Sequence, residues 1–493
     1  MLTIDTLPDD VLTEIFAFCV SCPDDDPRHR RHEWQSLVQV CKRWQETIYA
    51  SPRYLDLSLY LSNGHSITRT LRWPELPLII CYSVYNKLEC GDYLYDALTQ
   101  RDRIRCIHFF MRQSNADWIA EPMEQHFPLL THLDLKGYPK LGPDDVPYIS
   151  LDRFLGGSAP SLQHLCVDNF EHEGLPSLLS SAPNLISLQF KNIRLGCYMS
   201  PEEMVGALAG LTKLRDLCIE FSTRDCHAFR NLLRLRIHSP SPARVIFAAL
   251  TKVQIRGDSE YLEYLMALFD APRLEDLSFE YPKFDRRDEI NAGNLSQFIN
   301  RTATFKHAQF RRVELTLNCC RTYVKFDLPH REFQRARLSL TVSHREYPNA
   351  SSIVSDMSHV LGQLAIMHSD VRHLSIRGMS SGRGTVTRNH IKLGVALAPL
   401  FRSFPGVDVL RVSEKMAGHF IFTLKDMPEM VAEALPALQV LWIDGSLKDM
   451  LLLSIERFLS LHKKGGRSVV VVTSRKKFVK TLNPQQLELS ESP

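Results

Sequence analysis

The residues best placed by type and spacing to do chemistry sit early in the chain. Cys19-x-x-Cys22 is followed by His29-x-x-His32, at spacings that invite a tetrahedral zinc site. The link between the pairs, Asp24-Asp25-Asp26-Pro27, does not suggest the compact turn of a zinc ribbon. Cys19 also falls on an apolar helical stripe, and both histidines fall in the basic run Arg28-His29-Arg30-Arg31-His32. A solvated basic segment is the favoured reading, and no metal is expected. Cys319-Cys320 lies beside a strand pattern, which reads as buried thiols rather than a reactive pair. Ser380-Ser381-Gly382-Arg383-Gly384-Thr385 has the glycines of a phosphate loop. It lacks the Gly-Lys-Ser/Thr ending that contacts phosphate and magnesium, so it reads as a surface loop. The motif His-Glu-x-x-His is absent, and the nineteen histidines are dispersed. The expectation is a chain with no cofactor that is not an enzyme.

Composition points the same way. With 493 residues, 44% apolar and 23% charged, the chain has the profile of a soluble globular protein of two or three domains, or of a small module plus an extended array. A formal charge of +3 on that length makes no case for nucleic acid or an anionic membrane. No secretory signal and no membrane span is expected, because the first ten residues are acidic and no apolar run approaches a bilayer's thickness. The twelve cysteines are scattered, often within apolar patterns, which suits reduced thiols in cytoplasm or nucleus. The sequons at Asn294, Asn300 and Asn349 read as chance matches. Arg475-Lys476-Lys477 reads as a solvated cap on the last strand, not a nucleic-acid patch.

Two elements must position whatever function remains. The first is a pair of apolar helices at the N-terminus. Val11, Leu12, Ile15, Phe16 and Cys19 form one stripe, with Thr6 as the expected cap and Asp9 and Asp10 suiting a helix N-terminus. Leu37, Val40, Cys41, Trp44 and Ile48 form a second stripe, stopped at Ser51-Pro52. So small a block cannot bury that much apolar surface alone and is expected to dock on a partner.

The residues Leu7-Pro8-Asp9-Asp10-Val11-Leu12-Thr13-Glu14-Ile15-Phe16 and Val40-Cys41-Lys42-Arg43-Trp44 resemble the two halves of an F-box, the adaptor-docking motif of ubiquitin-ligase receptor subunits. The segment from Cys19 to Glu33 lengthens the link between them, an insertion similar to those of basidiomycete fungal F-box proteins. The resemblance implies docking to a Skp-type adaptor, and through it to a cullin–RING ligase, by Leu7, Pro8, Val11, Leu12, Ile15, Phe16, Val40, Cys41 and Trp44.

The second element is a weak repeat with apolar residues at its first, fourth and sixth positions. It runs through Ile104-Ile107-Phe109, Leu130-Leu133-Leu135, Leu162-Leu165-Val167, Leu185-Leu188-Phe190, Leu214-Leu217-Ile219, Leu250-Val253-Ile255, Leu274-Leu277-Phe279, Phe310-Val313-Leu315, Val371-Leu374-Ile376, Val407-Leu410-Val412 and Leu438-Leu441-Ile443. A proline such as Pro128, Pro160 or Pro183 introduces many of them, at intervals of about 23 to 36 residues. Helix-like stretches at Glu202–Leu211, Ser259–Phe269, Ser352–Met367 and Lys448–Leu461 fall between. This pattern resembles a leucine-rich repeat array without the family's turn Asn or Cys, three places after the last strand leucine.

The expected fold class is α/β: an N-terminal helical F-box (1–58), a linker and N-terminal cap (59–100), an irregular leucine-rich-repeat solenoid with a curved parallel sheet and outer helices (101–482), and a disordered tail (483–493). Val469–Val472 reads as a buried strand. Side chains between the repeat's apolar positions point away from the helices, and these are the candidate substrate contacts. The main ones are Asp134, Lys136, Asp168, Lys191, Glu220, Arg256, Glu280, Arg377, Arg411 and Trp442, with His164, Gln189, Asp216, Asp276, Glu314, His373 and Asp444 in the same phase. They run from acidic in the middle repeats to basic in the later ones. The implied function is capture of a protein substrate by a non-enzymatic receptor. A non-ligase scaffold with the same fold is the rival.

Overall fold

The computed structural model describes residues 4–20, 36–50, 59–62, 76–83, 91–138, 147–222, 244–283, 290–318, 321–327, 336–344, 350–364, 370–378, 390–414, 416–417, 420, 428–444, 455–456, 458–460 and 469–473. They form a mixed α/β protein of two compact units, one of Met1–Cys197 with Gly210–Leu214 and one of Tyr198–Ala209 with Arg215–Pro493. The second cysteine and both histidines of the zinc-like motif, Cys319-Cys320, the loop at 380–385, Asn349 and the basic tail lie outside the described residues. Among the described residues no helix is long and apolar enough to cross a membrane.

In the first unit the strands are β1 (Leu59–Ser62), β2 (Leu78–Ser83), β3 (Ile104–Met111), β4 (His132–Gly137), β5 (Tyr148–Ser150), β6 (His164–Asp168), β7 (Glu171–Glu173) and β8 (Ser187–Ile193). The main sheet has the order β1-β2-β3-β4-β6-β8 with every neighbour parallel, and β5 pairs with β7 apart from it. Parallel pairing needs a crossover, and helices supply it, Gln113–Met123 before β4 and Leu175–Ser180 before β8. Register follows the repeat, with Ile107, Leu133, Leu165 and Leu188 side by side. A slip of one residue would turn that row out to solvent.

The second unit holds β9 (Asp216–Phe221), β10 (Val245–Ile246), β11 (Lys252–Arg256), β12 (Phe269–Asp270), β13 (Asp276–Lys283), β14 (Arg312–Leu317), β15 (Arg321–Asp327), β16 (Arg337–His344), β17 (His373–Gly378), β18 (Val409–Val412), β19 (Val440–Ile443) and β20 (Val470–Thr473). Its sheet runs β9-β11-β13-β16-β15-β14-β17-β18-β19-β20, with β10 and β12 paired separately. Every side chain of the eleven triads is at most 3% exposed. At roughly 1.5–3 kcal/mol for a fully buried aliphatic or Phe side chain, this row dominates the core.

The uniform succession of repeats breaks once. The step from Phe310 to Val371 spans 61 residues, outside the expected spacing. Two strands occupy it, β15 and β16, and β15 is antiparallel to both neighbours. Only three residues separate β14 from β15, too few for a parallel crossover, and the Asn318 N–H donates to the Arg321 carbonyl at 2.8 Å. The neighbour of β13 is therefore β16, not β14.

Helices fall near the expected stretches at Pro201–Leu208, Ser259–Leu268 and Ala350–Gln363. Ser200 and Glu203 close a reciprocal cap on the first of these. Asp258 stands where the family's turn Asn was sought, and it caps the second by accepting from the Glu260 N–H at 3.0 Å. Other turns close on neighbouring backbone. Asn169 and Asn192, one place earlier than sought, take left-handed φ of 53° and 52°. Gly137, in the same place on β4, leaves no room for a side chain, because a Cβ would meet the Asn169 carbonyl oxygen at 2.1 Å. The valines of β20 are half-buried, not buried as expected.

Candidate functional site

The N-terminal helices run from Asp9 to Val20 and from Lys42 to Ala50. The first begins three residues past Thr6, so Thr6 is not its cap; Asp9 and Asp10 occupy its first turn as expected. Leu12, Phe16 and Ile48 are wholly buried. Phe16 meets the Trp44 ring edge-on, with centroids 4.9 Å apart. Arg43 clamps the start of the first helix, donating to Asp9 Oδ1 from Nε at 3.0 Å and Nη2 at 2.7 Å, and to the Leu7 carbonyl at 2.5 Å.

The nine expected docking residues therefore divide. Leu12 and Phe16 are buried, Phe16 against Trp44 of the second helix. Leu7, Ile15 and Trp44 are half-buried, and Pro8, Val11, Val40 and Cys41 are exposed. Phe18, 82% exposed, joins the exposed apolar set although the stripe did not include it.

In the first unit the outward strand positions form rows. His132 stands in register with His164 and then Ser187, and His108 with Asp134, Cys166 and Gln189. Small side chains at Cys166 and Ser187 leave a hollow of about 220 Å³, also lined by Lys136. Lys136 donates to Asp134 at 2.7 Å, His108 lies 3.5 Å from the same oxygen, and the rings of His132 and His164 stack with centroids 4.2 Å apart. Burial pushes the Asp134 carboxyl up, but hydrogen bonds from His108 and Lys136 outweigh it, and the group is held below the usual carboxylate value. Burial pushes the Cys166 thiol up, which keeps it neutral and unreactive. Asp168 accepts from the Asn192 amide at 2.7 Å, and Lys191 donates to Gln189 at 2.8 Å. Among the described residues, no group of three or more His, Cys, Asp or Glu side chains is arranged to hold a metal ion.

In the second unit the outward charges pair with one another. Glu220 accepts from the Gln254 amide at 2.8 Å. Glu280 takes Arg256 at 3.4 Å, Arg321 at 3.0 Å and the Ser343 hydroxyl at 2.9 Å. Arg377 meets Glu314 at 3.0 Å. Arg411 forks onto both oxygens of Asp444 at 3.1 Å, and the Trp442 indole donates to Asp444 at 3.0 Å beneath the Arg411 guanidinium. This mutual compensation offsets the acidic-to-basic gradient read along the chain. The face offers patterned hydrogen bonding rather than a strong field.

Arg43 and Arg321 were not among the candidates. Each acts across long sequence separations or from the unforeseen β15, so no local pattern marks its role. Compared with models of known protein families and with curated proteins, the chain matches none.

Proposed function

We propose that this chain is the substrate-recognition subunit of a Skp–cullin–F-box-type ubiquitin ligase. Its N-terminal helix pair docks the Skp-type adaptor, and its strand faces, read as irregular leucine-rich repeats, capture a protein substrate. The observation that carries the reading is the clamp joining the two motif halves. Arg43 binds Leu7 and Asp9, and Trp44 packs on Phe16, while Pro8, Val11, Phe18, Val40 and Cys41 stay exposed. In this reading the chain does no bond chemistry. Two binding surfaces on one chain raise the effective concentration of substrate lysine at the ubiquitin-charged enzyme.

The rival is a scaffold that binds the adaptor without a ligase. Purification of the full chain from its own cells separates the two. Adaptor and cullin together in the complex support the ligase reading. Adaptor without cullin supports the scaffold. Absence of adaptor removes both.

A further inference from the structure

The outward face of the last strands of the second unit changes character. Its first row runs Arg312, His373, Val409, Val440 and Val470, and its second runs Glu314, Ser375, Arg411, Trp442 and Val472, each in register with its neighbour. The inward positions Leu374, Leu410 and Leu441 are at most 1% exposed, so these rows are the opposite face of the same sheet. A solvated strand face carries polar residues in this phase. Here four valines, all half-buried, surround Trp442, which is 38% exposed.

The aromatic is held in one position before any partner arrives. Its N–H is bonded to Asp444, and the Arg411 guanidinium lies 5.7 Å from the ring centroid while forking onto the same carboxylate. A side chain fixed in this way loses little freedom on binding. Trp and Arg beside an apolar floor are also the residues that dominate measured interfaces. On β17 to β20 the outward charges are Arg377, Arg411 and Asp444, one positive in excess; Arg377 also meets Glu314 of β14 and Arg411 meets Asp444, yet both arginines keep more than half their side-chain surface in water.

We infer that the face of β17 to β20 centred on Trp442 binds an extended segment of a partner protein that sets an apolar side chain on the valine and tryptophan floor and flanking carboxylates on the arginine rim. This rests on the receptor reading only for the partner's identity as a substrate; the chemistry of recognition stands on the face itself.

The test uses the full chain and three synthetic decapeptides, each with a central Leu-Phe pair flanked by Asp/Glu, by Ser or by Lys, with affinity read by fluorescence anisotropy. The acid-flanked peptide is expected to bind at least about tenfold tighter than the Lys-flanked one, with affinity falling as salt rises. Trp442→Ala and Val440→Asp are each expected to weaken it about tenfold or more, and Arg377→Glu is expected to erase the preference for acid. Unchanged binding by folded Val440→Asp and Trp442→Ala proteins, a preference for the Lys-flanked peptide, or no binding by any of the three would overturn the inference. Adaptor binding measured on the same variants separates the two claims. Its loss in the unmodified chain counts against the receptor reading, and its retention alongside failed peptide binding counts against this surface alone.

Discussion

Arg43 and Asp9, thirty-four residues apart, form a two-pronged contact that joins the second N-terminal helix to the first turn of the first. The same guanidinium donates to the Leu7 carbonyl, so one side chain sets the path of the chain through Leu7-Pro8. The ion pair is largely solvated and contributes no more than about 1 kcal/mol to stability. Arg43→Ala is therefore expected to leave the unfolding midpoint nearly unchanged while weakening adaptor binding several-fold. Thermal unfolding alongside adaptor titration checks this, and equal losses in both would assign Arg43 to stability alone.

Phe16 has a different part. It is wholly buried against Trp44, so Phe16→Ala removes the main contact between the two helices, at a cost of about 3–5 kcal/mol. Hydrogen exchange confined to residues 9–20 and 42–50 should rise sharply, with the strands of either unit unaffected.

Buried Lys283 and half-buried His344 and Asp356 cluster between strand ends and the helix Ala350–Gln363, with Lys283 2.7 Å and His344 3.3 Å from Asp356. Burial raises the Asp356 carboxyl, and hydrogen bonds from His344 and Lys283 more than reverse this, so its folded value lies below the ordinary one. The stabilisation is thus present above about pH 4 and is lost as pH falls through the depressed value. Asp356→Ala leaves Lys283 buried and unpaired and should cost roughly 3–5 kcal/mol in denaturant unfolding. Lys283→Met with Asp356→Leu should recover most of it.

Glu263 titrates in the opposite sense. It is nearly buried on the helix Ser259–Leu268 and accepts the N–H groups of Asn294 and Leu295 at the start of the helix Gly293–Arg301. Burial raises its carboxyl to about 7, against the pull of those two donors. A raised value stabilises the fold below the unfolded pKa, and that contribution is lost as pH climbs through 7. Glu263→Gln should flatten a decline of up to roughly 3 kcal/mol between pH 4.5 and 7. A wild-type profile parallel to that of the variant would contradict it.

Gly137 tests the turns. Gly137→Ala would drive a Cβ into the Asn169 carbonyl, a backbone contact that cannot yield cheaply, and should cost about 1–3 kcal/mol in thermal unfolding.

The triads were legible because buried parallel strands repeat the same apolar spacing, and Leu133, Leu165 and Leu188 state it plainly. β15 and β16 were not read, because Val324, Phe326, Leu338 and Leu340 alternate in twos without the proline and leading anchor of the triad. The outward phase was read correctly at Asp134, Glu280 and Trp442, yet their partners were not. Arg321 and Ser343 reach Glu280, and His108 reaches Asp134, from other strands, and pairing across a sheet depends on register that a linear pattern does not carry. The N-terminal stripe predicted apolar helices but did not separate Leu12 and Phe16, which are buried, from Val11 and Val40, which face water.

Adaptor docking is tested most directly by titrating the full chain with a purified Skp-type adaptor and comparing it with the double variant Leu7→Ala, Pro8→Ala. The account predicts saturable one-to-one binding that the double variant reduces at least about a hundredfold. No binding by the unmodified chain, or equal binding by the variant, would contradict it.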